Sequence, residues 1–191
     1  MGDTGYVFRG PPIDTQLAAY TELVRDYSDR LDLVAPGDLD RFEERHIRDS
    51  LKPLALLHAL PEGPCVDVGS GAGLPGIPLA IAEPSRDWRL IEPRRLRAAF
   101  LEEVVRALDL RCEVIVATAE AAGRDPRLAA GHVLAIARAL APPADAFALI
   151  APLVAPGGVA AVFVGERGEA PPGSEEVEEG LAIVRVEEPR S

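Results

Sequence analysis

Val66-Asp67-Val68-Gly69-Ser70-Gly71-Ala72-Gly73-Leu74-Pro75-Gly76 reads as a buried strand, a glycine loop and the start of a helix. Glycines at every second position let the backbone turn sharply and approach a ligand with no Cβ in the way. The helix that follows offers unpaired N–H groups and the positive end of its dipole. These are the parts of a nucleotide-type cofactor site.

Working outward from the loop, short apolar runs alternate with helical patterns. Cys65–Val68 precedes a helix at Pro75–Ala82, and Trp88–Ile91 precedes one at Leu96–Leu108. Cys112–Val116, Val133–Ala137, a helix at Asp145–Val154 and a strand at Gly158–Val164 follow, the last fed by a turn at Ala155-Pro156-Gly157-Gly158. Such alternation predicts an α/β fold, an open, doubly wound and mostly parallel sheet of Rossmann-like type. Residues 170–180 read as loop or a ragged acidic helix, and Leu181–Val186 as one last short strand.

Upstream the pattern is helical. Met1–Ile13 reads as a loose arm, after which Asp14 or Thr15 is placed to cap a helix from Gln16 to Leu31. Leu17, Tyr20, Val24, Tyr27 and Leu31 recur at steps of three and four and share one face. Ala35-Pro36-Gly37 breaks that helix, and Asp38 is expected to cap a second one carrying Leu39, Phe42, His46 and Ile47. Ser50 is expected to start a third, Leu51–Leu60, with Pro53 in its first turn, where a missing N–H costs little. Residues 1–61 are therefore expected to form an arm and helices packing on a core built from residues 62–191.

The chain has 191 residues and a net charge of −11, from 20 basic and 31 acidic side chains. An acidic chain is not an obvious nucleic-acid binder, because phosphate neutralisation needs clustered Lys and Arg. Arg41, Arg45, Arg48 and Lys52 form one local cluster, while the end of the chain is rich in glutamate. Cys65 and Cys112 fall at the starts of strands one and three, too far apart for a disulfide if strand two lies between them. No signal peptide or membrane-length apolar run is visible, so a cytoplasmic protein without a membrane partner is expected, as a monomer. No cluster has metal-ligand spacing; His58, His132 and Trp88 read as structural.

Two cofactors compete for the loop. Gly71-Ala72-Gly73-Leu74-Pro75-Gly76 fits the dinucleotide fingerprint, with Glu92 about twenty residues on to grip a ribose. Asp67-x-Gly69-x-Gly71-x-Gly73 fits the loop of S-adenosylmethionine (SAM) methyltransferases, with Glu92 in the same role. Charge separates them. Asp67, at the ligand end of its strand, repels a pyrophosphate and attracts the ammonium and sulfonium of SAM. A bland role for Asp67, accepting backbone N–H groups of its own loop, stands beside this one.

Four separated stretches carry a resemblance to a known family. They are Arg45-His46-Ile47-Arg48-Asp49-Ser50-Leu51, the loop Asp67–Pro78, Phe100-Leu101-Glu102-Glu103-Val104, and Ala137-Arg138-Ala139 with Pro156-Gly157-Gly158. Over most of Leu23–Val164 the chain resembles the RsmG (glucose-inhibited division protein B) family, SAM-dependent methyltransferases acting on N7 of a guanine in 16S ribosomal RNA. The resemblance implies SAM as cofactor and 16S rRNA or the small ribosomal subunit as partner. It implies that Asp67, Gly69, Ser70, Gly71 and Leu74 line the cofactor pocket with Glu92. Ala119 and Glu120 would meet the adenine edge, and Arg138 the cofactor or the incoming base. Arg45, His46, Asp49 and Ser50 would stand at the site mouth toward substrate; a helix-junction network in which Asp49 and Ser50 cap the next helix is the competing role. For Arg138 the competing role is an ordinary ion pair.

Methylation of guanine N7 needs no general base, because that nitrogen has a lone pair and no proton to lose, and no catalytic residue is assigned. Two positions depart from the family pattern. Val164-Gly165 stands where a Lys is usual, and Asp32-Leu33-Val34 where Asn-Leu-Thr is usual. The family's C-terminal hairpin is expected to be shortened to Leu181–Val186. A SAM methyltransferase with another substrate and a SAM-binding module without turnover are the alternatives.

Overall fold

The structure, a computed structural model, describes residues 12–165, 169–178 and 180–188. The arm expected at Met1–Ile13 lies outside the described residues as far as residue 11, and Ile13 already begins the first helix, α1 (Ile13–Leu31). Pro12 occupies the N-cap and no side chain caps the helix, so neither Asp14 nor Thr15 takes the expected role. Tyr20 and Val24 are fully buried, and Leu17, Tyr27 and Leu31 pack against the same cluster, as the stripe requires. The helix stops at Asp32, whose left-handed φ of 50° suits the short polar Asn or Asp. The departure from the family's Asn at this position therefore keeps the turn.

The segment expected to be one capped α-helix is instead a 3-10 turn (Pro36–Arg41) running into a π-helical turn (Phe42–Ile47) and a short α2 (Arg48–Ser50). Asp38 caps nothing here, and its carboxylate accepts from Arg45 at 2.7 Å. The wide π turn keeps both Phe42 and Ile47 in the core. Ser50 does not start the next helix either; its hydroxyl donates back to the His46 carbonyl at 2.7 Å, and α3 (Leu54–Ala59) begins after Pro53.

The strands are β1 (Cys65–Val68), β2 (Trp88–Ile91), β3 (Cys112–Ile115), β4 (His132–Arg138), β5 (Val154–Phe163), β6 (Glu175–Glu178) and β7 (Leu181–Arg185). They form one sheet in the order β3-β2-β1-β4-β5-β7-β6, with the first five parallel and β7 antiparallel to β5. Between them run α4 (Gly76–Ala82), α5 (Arg95–Ala107), α6 (Ala119–Arg124) and α7 (Pro143–Ile150). Cys65 pairs in register with Trp88, and Trp88 with Cys112, so β2 separates the cysteines and both are free.

Strand alternation sends Val66, Val68, Ala135, Ala137, Ala160 and Val162 to one face, under α6 and α7. Cys65, Leu134, Ile136, Val159 and Ala161 go to the other, under α3 and α4, where the core continues into that of α1 and α5. Small residues at the strand centres let the covering helices come close.

Three stretches differ from expectation. Residues 155–158 are not a turn before β5 but part of it: pairing jumps from His132–Val154 to Leu134–Val159, so the Pro-Gly-Gly run is looped out as a bulge. The expected acidic loop or helix contains β6, whose four residues are all exposed. β7 is thus the inner strand of a true hairpin, and the sheet does not end at Leu181–Val186. At the family's usual Lys position, Val164 donates its N–H to Gly180 at 2.9 Å and leads into that hairpin.

Candidate functional site

The carboxyl ends of β1, β2 and β4 meet at the point where strand order reverses, the usual place for a ligand in such sheets. After β1 the N–H groups of Gly69 and Ser70 both reach the Ile91 carbonyl, at 2.8 and 3.0 Å, which pins the loop to β2. Gly69, Gly71 and Gly73 have φ of 76°, 57° and 100°, conformations that glycine adopts without a steric penalty. The chain then enters α4 through Ile77 N–H to the Gly73 carbonyl at 2.8 Å.

Asp67 lies beneath this loop and is fully buried. Its Oδ2 accepts from the Gly76 N–H at 3.1 Å and so ties strand β1 to the first turn of α4. Its Oδ1 has no partner. Burial pushes the carboxyl up to about 7, against the smaller opposing pull of the neighbouring Ser70 hydroxyl and the Gly76 N–H. Ser70 is buried, and its hydroxyl donates to the Asp67 carbonyl at 3.1 Å.

Glu92 stands at the end of β2, nearly buried, and grips the loop from the side. One oxygen accepts from Gly71 N–H and the other from Arg94 N–H, both at 2.9 Å. Each carboxylate oxygen keeps a further lone pair for a ligand hydroxyl. Leu74 is half-buried and packs toward the core of α1. Thr118 caps α6 by accepting from Ala121 N–H at 3.2 Å, which puts Ala119 in the core beside Val68 and Ile91 and leaves Glu120 exposed.

Arg138 ends β4 and gathers the helical segment around it. Nη1 donates to the His46 carbonyl at 3.2 Å and to the Ser50 hydroxyl at 3.4 Å; Nη2 donates to His46 Nδ1 at 3.0 Å and faces Asp49 at 3.5 Å. The guanidinium carbon lies 5.6 Å from the centroid of the Phe163 ring. Accepting at Nδ1 makes His46 neutral with its proton on Nε2, toward Asp38 Oδ2 at 3.6 Å. Burial, then the Arg138 charge, lowers the His46 pKa and favours that form. Arg45 is exposed and engages Asp38, not Arg138.

The structure thus brings His46, Asp49, Ser50 and Arg138 into one network, and Asp67, Gly69, Ser70, Gly71 and Glu92 into another. Asp49 and Ser50 make their contacts with Arg138, Lys52 and the His46 carbonyl and do not cap α3 by their side chains. Two supporting residues have no distinguishing signal in sequence. Tyr20, indistinguishable from a core aromatic, donates its hydroxyl to the Ala72 carbonyl at 2.8 Å. Leu140 lies over Gly69, with Cδ1 only 2.8 Å from where a Cβ there would stand. His132 is structural, buried between the Leu153 carbonyl and Arg89 at 2.9 and 2.8 Å. No cluster among the described residues is arranged to hold a metal, and none of their helices is long and apolar enough to cross a membrane.

A reversed strand order, an antiparallel β7 and a buried acid under an alternate-glycine loop define the fold of SAM-dependent methyltransferases. A putative SAM-dependent methyltransferase from Methanococcus maripaludis superposes with a TM-score of 0.58 at 14% identity, covering 98% of this chain and 99% of that one. The model of one family, rRNA small subunit methyltransferase G (GidB), matches residues 13–179, and the chain belongs to that family. It is 41% identical over 154 residues to the ribosomal RNA small subunit methyltransferase G of Frankia alni, covering 78% of this chain and 56% of the relative. It is 39% identical over 158 residues to the protein of that name from Acidiphilium cryptum, covering 81% of this chain and 69% of that one. The chain therefore spans little more than half the length of the Frankia relative.

Proposed function

We propose that the chain binds SAM and transfers its methyl group to N7 of a guanine in small-subunit 16S rRNA, acting as a cytoplasmic monomer. The observation that carries the reading is Asp67. A fully buried carboxyl with one oxygen unpartnered, beneath a loop of three positive-φ glycines, fits a ligand bearing positive charge. It fits a pyrophosphate poorly. Asp67, Gly69, Ser70, Gly71, Leu74, Glu92, Ala119, Glu120 and Arg138 are the residues assigned to the cofactor, with Glu92 accepting from ribose hydroxyls. SAM when bound supplies an electrophilic methyl group on sulfur.

The remaining work for the protein is placement. Guanine N7 carries its lone pair without deprotonation, so the chain needs no general base; it must hold the base in line and keep water out. Arg138 holds His46, Asp49 and Ser50 at the edge of β4, and these residues with Arg45 are assigned to the substrate side. The helical segments from residue 12 to residue 61 then serve as a cover for the sheet that follows, fixing the loop through Tyr20 and the tip of β4 through His46.

The test is incubation of the purified chain with methyl-labelled SAM and small ribosomal subunits that lack this methylation. Label recovered in 16S rRNA is the expected result. SAM binding without labelled RNA overturns the rRNA acceptor, and no SAM binding overturns the cofactor.

A further inference from the structure

Arg94, Arg95 and Leu96 follow Glu92 after a single proline, Pro93, and are exposed, Leu96 to 71%, unusually high for a large apolar side chain. The run from Pro93 to Leu101 holds three arginines and no acid, in a chain of net charge −11. Among the described residues most other guanidinium groups are committed, such as Arg45 to Asp38, Arg89 to Glu113, Arg111 to Asp87, Arg127 to Asp125 and Arg138 to Asp49. The side chains of Arg94 and Arg95 have no hydrogen-bond or ion-pair partner among the described residues. Arg97 is engaged at the surface, donating to the Asp32 carbonyl and standing 3.9 Å from a Cβ position on Gly71.

The patch adjoins the site. Arg94 N–H is bound to Glu92, whose other oxygen holds Gly71 of the loop. Val116, 48% exposed, comes immediately after the neighbouring strand β3, one residue past the Glu92–Ile115 hydrogen bond. The thirteen-residue α5 starts here without a side-chain cap, so its dipole adds to the two free charges. Free basic and apolar side chains lie at the β2–β3 side of the sheet, and the exposed glutamates of β6 form its opposite edge. A polyanion is drawn to one side and repelled from the other.

We propose that Arg94, Arg95 and Leu96 form the docking surface for a single-stranded stretch of the RNA substrate beside the reactive base. The inference rests on the rRNA methyltransferase reading. Arg94 and Arg95 pair with phosphate oxygens, for which a guanidinium fork is well matched, and Leu96 with Val116 offers an apolar contact to an unstacked base. Neither arginine side chain makes a hydrogen bond or ion pair with the residues assigned to the cofactor, and only the Arg94 main chain bonds Glu92, so the surface sets RNA affinity and leaves SAM affinity alone.

The test compares the full chain with R94E/R95E, R94Q/R95Q and L96A, measuring RNA binding across a salt series, methyl transfer to small-subunit rRNA, and SAM binding. The glutamate pair is expected to weaken RNA binding by at least ~10-fold and to flatten the log–log salt dependence by roughly 0.7 per lost phosphate contact. The glutamine pair falls between, L96A weakens binding without changing the salt slope, and SAM affinity and unliganded melting temperature stay put. Wild-type methyl transfer with RNA affinity and salt slope unchanged in the glutamate pair overturns this surface and leaves the proposed function standing. A wild-type chain that binds SAM but neither binds nor methylates RNA overturns both. Binding to phosphatidylserine vesicles in place of RNA also overturns the RNA assignment.

Discussion

The Tyr20 hydroxyl donates a 2.8 Å hydrogen bond to the carbonyl of Ala72, so the first helix of the chain holds the middle of the glycine loop. The phenol is fully buried, and burial with the nearby Asp67 charge raises its pKa well above the ordinary range, keeping it a donor. The loop's shape thus depends on a residue fifty-two positions upstream. Tyr20→Phe removes the donor and leaves a buried carbonyl unsatisfied. Chemical denaturation should show a loss of about 1–3 kcal/mol, with weaker SAM binding by calorimetry. Unchanged values in both would mean that Tyr20 only fills space.

Gly76 admits no side chain. A Cβ there would stand 2.6 Å from Leu90 Cδ2 and 2.7 Å from Asp67 Oδ2, the atom its own N–H must reach. Gly76→Ala is expected to destabilise by about 1–3 kcal/mol through overpacking, and to reduce SAM affinity by displacing Asp67. Gly37→Ala, with nothing within 4 Å of its Cβ position, is the silent control in the same denaturation series.

Asp67 makes stability fall as pH rises. Its pKa goes from 3.8 in the unfolded chain to about 7 in the native state. Below about pH 4 both states hold the proton and nothing is lost. Between there and about 7 the unfolded chain releases it first, so the native state loses stability, on the order of 4 kcal/mol by the end of the window. Denaturation at pH 5 and pH 8 should show this decline in the wild type and not in Asp67→Asn. A cationic ligand favours the charged carboxylate, so SAM should bind more tightly at pH 8 than at pH 5.5. Parallel pH profiles for the two proteins would contradict the assignment.

Arg138 joins β4 to the π-helical turn through its whole fork. Arg138→Gln removes the cation that helps depress the His46 pKa and frees the His46 carbonyl and Ser50. The His46 pKa, followed by NMR, should rise toward the ordinary imidazole value. Stability should fall by roughly 1–3 kcal/mol, and Arg138→Lys should restore only part of it, because an ammonium cannot reproduce the fork. An unmoved His46 titration would show that the pair is not coupled in solution.

The sheet could be read from residues because its strands are short apolar runs between strong breakers, and β1 and β2 have the expected bounds of Cys65–Val68 and Trp88–Ile91. What escaped follows from local chemistry overridden by tertiary pairing. The Pro-Gly-Gly run reads as a turn but is held in β5 as a bulge. Glu175–Glu178 carries no apolar alternation because both of its faces are exposed, so nothing marks it as a strand. The six residues of α6 are too few for a helical period. The π turn at Phe42–Ile47 breaks the regular helical period, although the His46 ring still lies 5.6 Å from that of Phe42. For the site, the glycine spacing and Asp67 argue for a cofactor on their own. The meeting of Arg138 with His46, 92 positions apart, has no local signature: the family resemblance places Arg138 toward the cofactor or base and His46 at the site mouth, and says nothing of a bond between them.

The most direct measurement is mapping of the methyl group itself. Small-subunit rRNA is recovered after reaction with the chain and SAM, reduced, and cleaved with aniline, which breaks the strand at N7-methylguanine. One new, SAM-dependent cleavage site is expected at a guanine of 16S rRNA, lost in Asp67→Ala. Methyl incorporation without such cleavage, or at many sites, or none from a chain that binds SAM, would contradict the proposed function.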